Sequence, residues 1–297
     1  MFAACLRLTV WPPLEESNEP KVSQVTLKQT LEPTDAGSYG LIDAHAHLHL
    51  RSGAVEQLLA CMDAHRIERT IVVAGGTISP ELLSQHYTRG GSSDVTVDNE
   101  GIHAACAKTQ GRLLPFFFAN PLHGPEPYRL AGRRFFGLKL APIVHGVPFD
   151  DERIQLLLDV AADFGHPVYV HCLPRTGFEV ADLALLATRN ADLPIILGHG
   201  GVGHGDFHGI SLIARLTNVY FEASGTFTHA TRVAWQTLGA SRVLFGSEYP
   251  LQDQSVEVQK FACLSPSAVE RRTMMRSNAL RLLRLDEQTT PSSLNRW

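Results

Sequence analysis

The stretch Leu41-Ile42-Asp43-Ala44-His45-Ala46-His47-Leu48 decides how the rest of the chain is read. An apolar run of this kind predicts a strand, and alternation then sets Asp43, His45 and His47 on one face with Ala46 on the other. Two imidazoles side by side at the end of a strand are half of a divalent-metal site. With 14 His in 297 residues, about one H-x-H is expected by chance, so the pair gains meaning only from its context. A single His is by default a satisfied core or surface imidazole.

The context is a repeated theme. From residue 41 onward, apolar strand-like runs alternate with stretches of helical spacing: 41–48, 70–75, 113–121, 135–142, 167–172, 194–201, 219–224 and 243–250. Leu58, Leu59, Met62 and Ile67 fit one helix; Ile154, Leu157, Leu158 and Ala161 fit another; Leu183, Leu185 and Leu186 mark a third, and Leu212, Ile213 and Leu216 a fourth. The long segment 76–112 is expected to hold a loop around Gly90-Gly91 and a helix at 98–110. A final helix is expected over 266–283, and a stunted one between the third and fourth runs. Short continuous apolar runs are what strands look like when both faces are covered. Eight such units predict an α/β fold, a closed (β/α)8 TIM barrel over residues 40–285, with an N-terminal extension at 1–39 and a tail at 286–297. The extension is rich in Pro, Glu, Ser and Thr and is expected to be an arm or short hairpin, with a possible strand at Val22, Val25 and Leu27. No G-x-G-x-x-G follows the first run, which argues against a doubly wound open sheet.

Composition narrows the function classes. The net charge is −4, with no long basic block, so nucleic acid is not an expected partner. No stretch approaches the roughly 18 apolar residues of a membrane span. Five cysteines lie scattered without C-x-x-C spacing, which predicts a reducing, cytoplasmic setting and no thiolate zinc site. A homo-oligomer is left open.

In such a barrel, active sites collect at the C-terminal ends of the strands. Ionisable residues fall there: His45 and His47 in the first run, Lys139 in the fourth, His171 in the fifth, His199 in the sixth and Glu248 in the eighth. Burying so many polar groups at the mouth of an apolar core is costly unless they are paired or bound to a metal. Cys172 alternates with His171 and is expected to face away from the lumen. Arg175, in the loop after the fifth run, could fork a substrate carboxylate, and His145 is the loop histidine of first interest. His49, His123, His204 and His208 are further loop candidates, each expected to face solvent.

Five patches carry a family resemblance: Asp43-Ala-His45-Ala-His47, Gly137-Leu-Lys139-Leu-Ala-Pro142, Val170-His171-Cys172, Gly198-His199-Gly-Gly201 and Phe245-Gly-Ser-Glu248-Tyr-Pro250. In order and placement they resemble the amidohydrolase superfamily, most closely its amidohydrolase-related branch of TIM-barrel metal-dependent hydrolases. The resemblance implies that His45, His47 and His171 ligate a divalent metal, expected to be zinc as one or two ions. It implies that His199 ligates a second ion or polarises a carbonyl, and that Lys139 is either a bridging carbamate or a plain ammonium. The acid on the eighth strand would accept a proton from activated water and complete the metal's shell. The family normally carries Asp there; this chain carries Glu248, whose extra methylene is enough to displace a general base.

These assignments predict hydrolysis of an amide, lactone or ester in a small-molecule substrate, with Glu248 and His199 catalytic and Arg175 and His145 on the substrate. The alternatives are a metal-dependent non-oxidative decarboxylase, resembling the aminocarboxymuconate-semialdehyde decarboxylase group, and a non-catalytic binder on an inherited barrel. In the decarboxylase reading Arg175 or Lys139 holds the carboxylate and His199 protonates the carbanion.

Overall fold

Eight parallel staves form in chain order. The structure, a computed structural model, describes residues 39–75 and 78–286. Strand β1 (Leu41–Leu48) pairs with β2 (Ile67–Ala74), and β2 with β3 (Leu113–Pro115). The third stave continues as β4 (Phe117–Phe118), which pairs with β5 (Leu138–Leu140). Strands β6 (Val168–Val170), β7 (Ile195–Leu197), β8 (Val219–Glu222) and β9 (Val243–Leu244) follow in sequence. Pro115 has no N–H to give, and the third stave changes partner beside it: Phe116 N donates to Val72 O and Phe117 N to Gly137 O, each at 2.9 Å. The ring closes where Ala44 N donates to Phe245 O at 2.9 Å and Ala46 bridges Tyr249 in parallel. The chain is the (β/α)8 barrel that its apolar runs predict.

The helices are α1 (Ala54–Ala64), α2 (Pro80–Arg89), α3 (Asn99–Ala107), α4 (Glu126–Ala131), α5 (Pro142–His145), α6 (Glu152–Phe164), α7 (Val180–Arg189), α8 (Phe207–Ile213), α9 (Thr228–Leu238), α10 (Gln254–Leu264), α11 (Ala268–Arg272) and α12 (Asn278–Leu283). The expected final helix is present as α11 and α12, joined by a π turn at Thr273–Ser277. Helix α4 is the stunted one. Ile67, grouped above with the first helix, instead opens β2. Helix α2 lies where only a loop is expected, because its residues lack an apolar stripe. Its start is nonetheless signalled: Ser79 Oγ accepts from Leu82 N at 3.2 Å and Pro80 sits in the first turn. The expected arm, its strand at 22–27 and the tail fall outside the described residues, apart from Tyr39 and Asp286. No described helix is long and apolar enough to cross a membrane.

Two apolar layers follow from strand alternation. Ile42, Ala44, Ile71, Val73, Leu114, Phe116, Phe136, Tyr169, Ile196 and Leu244 fill the barrel. Leu41, Ala46, Leu48, Val72, Leu138, Leu140, Val168, Val170, Leu197 and Phe221 face the helices. Cys172 belongs to this outer layer and is fully buried, as its alternation with His171 predicts.

Strand β1 breaks the alternation. Its register shifts between Asp43 and Ala46, the mark of a β-bulge. Ile42 and Ala44 point inward, so Asp43 turns outward toward α10, opposite to the face that simple alternation assigns to it. The extra residue then returns His45 and His47 to the lumen.

Candidate active site

The mouth of the barrel gathers the residues that the sequence singles out. His45 Nε2 lies 3.0 Å from Glu248 Oε2, and His47 Nε2 lies 3.4 Å from Glu248 Oε1. His199 Nδ1 lies 3.5 Å from Glu248 Oε2. The His171 ring is 4.7 Å from that of His199, and the His45 ring is 4.8 Å from that of His47. Lys139 Nζ sits 4.0 Å from the centroid of the Tyr169 ring, on which His45 stacks at 4.0 Å. Five of the eight staves thus contribute at one rim.

Backbone conformation helps to aim two of these groups. His199 and Glu248 both have left-handed backbone, with φ of 55° and 61°. Such conformations cost about 1–3 kcal/mol each for a non-glycine residue and tend to collect at functional sites. Both lie beyond the ends of their strands: β7 stops at Leu197 and β9 at Leu244, short of the apolar runs they belong to.

Burial sets the protonation states. Desolvation holds His45 down to about 3, with Lys139 adding to the effect, and does the same to His171. Burial also holds His199 well below its ordinary value. Neutral imidazoles are the form that binds metal. Lys139 is lowered to about 8 by burial, against the pull of Glu248 and Glu222. Glu248 is desolvated too, but the facing imidazoles of His199, His47 and His45 bring its carboxyl well below the usual range.

The donor set fits a divalent cation. Ligand atoms of His45, His47 and Glu248 lie within 4.8 Å of one another. His45 Nε2 and Glu248 Oε2 are buried and have no hydrogen-bond partner. With its lone pair on Nε2, the ligand form of the ring, His45 faces the Glu248 carboxylate at 3.0 Å, and two such acceptors are costly without a positive group between them. A cation held by two imidazoles and a carboxylate meets both demands.

A cavity of about 310 Å³ opens beside the cluster. Ile78, Leu83, Phe118, Val144 and Leu251 supply apolar wall, while His47, Lys139, His171 and Glu248 supply the polar end. His49 lines it too, against the expectation of a solvent-facing loop residue, and so does Ser79. His145 does not line it. That side chain lies beyond Phe118, with Nδ1 3.1 Å from Ser93 O, against a second cavity of about 240 Å³. Arg175 is exposed and lies over the ring of Phe178 at 5.2 Å. His123 pairs with Asp94 at 2.9 Å, His204 lies 2.6 Å from Gly225 O, and His208 lines a separate groove.

Asp43 locks the first stave to the last. Its Oδ1 accepts from His45 N at 3.1 Å and Ser247 N at 2.9 Å; its Oδ2 accepts from Ser247 Oγ at 2.5 Å and Gln254 Nε2 at 3.1 Å. Full burial raises its pKa to about 7, with these bonds pulling the other way.

Three residues of the site are new to the structure. Tyr169 floors it, Glu222 accepts the Tyr169 hydroxyl at 2.7 Å, and Ser224 sits 2.9 Å from His199 Nδ1. The signals were present: Tyr169 lies two before His171 on the same stave, and Glu222 is a lone carboxylate in the seventh apolar run.

The first, fifth, sixth and eighth staves thus bring four imidazoles and an acid to one mouth, in the order in which the amidohydrolase motifs run along the sequence. The sequence profile of the family described as Amidohydrolase matches residues 42–285, and the chain belongs to that family. A search of curated protein sequences finds no significant match. Among solved structures, 2,6-dihydroxybenzoate decarboxylase from Rhizobium is similar at TM-score 0.60 and 19% identity, over 83% of this chain and 99% of that one. The 5-carboxyvanillate decarboxylase of Novosphingobium aromaticivorans, complexed with manganese and 4-hydroxy-3-methoxy-5-nitrobenzoic acid, is similar at TM-score 0.62 and 16% identity, over 84% and 97%. A protein described as a probable 2-pyrone-4,6-dicarboxylic acid hydrolase, from Acinetobacter baumannii, is similar at TM-score 0.59 and 16% identity, over 83% and 100%.

Proposed function

We propose that the chain is a metal-dependent, non-oxidative decarboxylase of a small ring carboxylic acid. This moves the second of the readings drawn from the sequence ahead of the hydrolase reading. The observation that carries it is the shape of the site: an apolar slot of about 310 Å³ ending at one buried ammonium and the histidine cluster. Decarboxylases among the similar structures support the same reading.

His45, His47 and Glu248 would hold a divalent cation, which supplies Lewis acidity toward the oxygen atoms of the substrate. Zinc and manganese both suit this mixed nitrogen and oxygen set. The apolar walls take the ring and exclude water. Lys139 pairs with an anionic oxygen of the substrate in a low-dielectric site, where such a contact is strong. As the C–CO₂ bond breaks, its electron pair stays on the ring carbon. His199, neutral at rest, takes up a proton from solvent at Nε2 and delivers it there, returning to the neutral Nδ1–H form. The Glu248 carboxylate, spread across three imidazoles, is better suited to binding the cation than to carrying protons. That is why the hydrolase reading, which needs a mobile general base at this position, ranks second.

The test uses 2,6-dihydroxybenzoate and 5-carboxyvanillate in D₂O with Mn²⁺ or Zn²⁺. Release of CO₂ with deuterium at the vacated carbon is the expected result. Incorporation of ¹⁸O from water into the carboxylate of opened 2-pyrone-4,6-dicarboxylate, without CO₂ release, would overturn it in favour of hydrolysis. Ligand binding without turnover under either metal would leave only the non-catalytic reading. A Glu248→Asp variant is expected to keep most of its metal, measured by plasma emission, while turnover falls about tenfold or more because the shortened arm misplaces the imidazoles it touches.

A further inference from the structure

Beneath the histidine cluster lies a buried network that the proposed reaction does not use directly. Glu222, with no exposed surface, ends β8. Its Oε1 accepts from Ser224 N at 2.7 Å. Its Oε2 accepts from the Tyr169 hydroxyl at 2.7 Å, from Ser224 Oγ at 2.8 Å and from His199 N at 3.1 Å. Four donors from three staves converge on one carboxylate.

We infer that Glu222 is a positioning residue that fixes, through Ser224, which ring nitrogen of His199 carries the proton. The logic is one of donors and acceptors. The Ser224 hydroxyl has one hydrogen, and Glu222 Oε2 takes it. Its oxygen can then only accept from His199 Nδ1, 2.9 Å away. The Tyr169 hydroxyl, which also gives its hydrogen to Glu222, lies at 3.4 Å from Nε2; the much shorter Ser224 contact selects Nδ1–H and leaves Nε2 the lone pair. Glu248 Oε2, 3.5 Å from the same Nδ1, favours the same tautomer. The backbone N–H of His199 on Glu222 holds the residue itself in its left-handed turn.

Two motif glycines make room for this network. A Cβ on Gly246 would lie 2.1 Å from Glu222 Oε1, and one on Gly198 would lie 2.4 Å from the Tyr169 ring. Neither glycine has positive φ, so space and not backbone freedom explains them.

The reaction side of the inference rests on the proposed role of His199; the tautomer does not. The test is long-range ¹H–¹⁵N NMR of the zinc-loaded full chain, with His199 assigned through a His199→Gln variant. Wild type is expected to show a protonated Nδ1 and a bare Nε2. In Glu222→Leu, an apolar side chain of similar size, the Ser224 hydroxyl loses its acceptor and is free to donate to His199 Nδ1. The protonated and bare ring nitrogens should exchange roles, in whole or in part. In Ser224→Ala, a small buried change chosen in case the first variant does not fold, the imposed acceptor is gone and the shifts should move toward the average of both tautomers. A wild type protonated on Nε2, or an Nδ1–H tautomer unaltered in the folded variants, would overturn the inference. If decarboxylation is observed in wild type, Glu222→Leu should lower kcat at least about tenfold with KM nearly unchanged. Absence of turnover in wild type would sink the proposed function while leaving the tautomer readout intact.

Discussion

Replacing His45 and His47 together by alanine will remove the tightly held metal, from about one equivalent per chain to below about a tenth, and with it at least about a thousandfold of turnover. The expectation rests on geometry. These two side chains and Glu248 are the described residues whose donor atoms come close enough to share one ion. With both imidazoles gone, Glu248 is what remains of that close donor set, and one oxygen ligand is a weak holder of a transition metal. Plasma emission on protein purified without added metal measures the loss directly. The fold should survive, because the two rings sit at the mouth and not in the ten-residue apolar layer within the barrel. Metal content equal to that of wild type would place the ion elsewhere. Stripping wild type with a chelator, then restoring activity with Mn²⁺ or Zn²⁺, separates loss of metal from damage to the protein.

The barrel was legible because eight apolar runs are hard to place in any other way, and the site because each ionisable residue ended such a run. What escaped was local. Asp43 was assigned to the face of His45 by counting in twos, and a bulge of one residue reversed it. A bulge is decided by hydrogen bonding across strands, here in the pairing of β1 with β2, and leaves no mark in the periodicity. Helix α2 escaped because its apolar pattern is poor, although the Ser79-Pro80 start was readable. Glu222 escaped for a different reason. A carboxylate within an apolar run reads as a strand end near solvent, and only the converging Tyr169, Ser224 and His199 donors show why it is buried. His145 and Arg175 were chosen as loop residues near the mouth, but loop direction follows from packing around Phe118 and Phe178, which spacing along the chain does not encode.

The outward turn of Asp43 carries the second large effect. An Asp43→Ala variant is expected to lose about 3–5 kcal/mol of stability, because it leaves two backbone N–H groups, a hydroxyl and an amide without their acceptor in a buried seam. For a domain of this size that is a fall in Tm of roughly 6–20 °C. The seam is the one that closes the barrel: Ser247 and Gln254 belong to the last βα unit, and His45 N to the first. Asp43→Asn should cost far less, about 1 kcal/mol or below. Its carbonyl can take the place of Oδ1, where two backbone N–H groups can only donate. Its amide can take the place of Oδ2, facing the Ser247 hydroxyl and the Gln254 amide, both of which can reverse and accept. The neutral amide also escapes the desolvation that pushes the Asp43 carboxyl up to about 7. Thermal melts of the two variants beside wild type decide the matter. Equal losses in both would mean that the charge itself holds the seam, whereas a large loss in alanine alone would assign the effect to the hydrogen-bond pattern. Because His45 N is one of the donors, Asp43→Ala should also loosen the first metal ligand, and its metal content should fall while that of Asp43→Asn stays close to wild type.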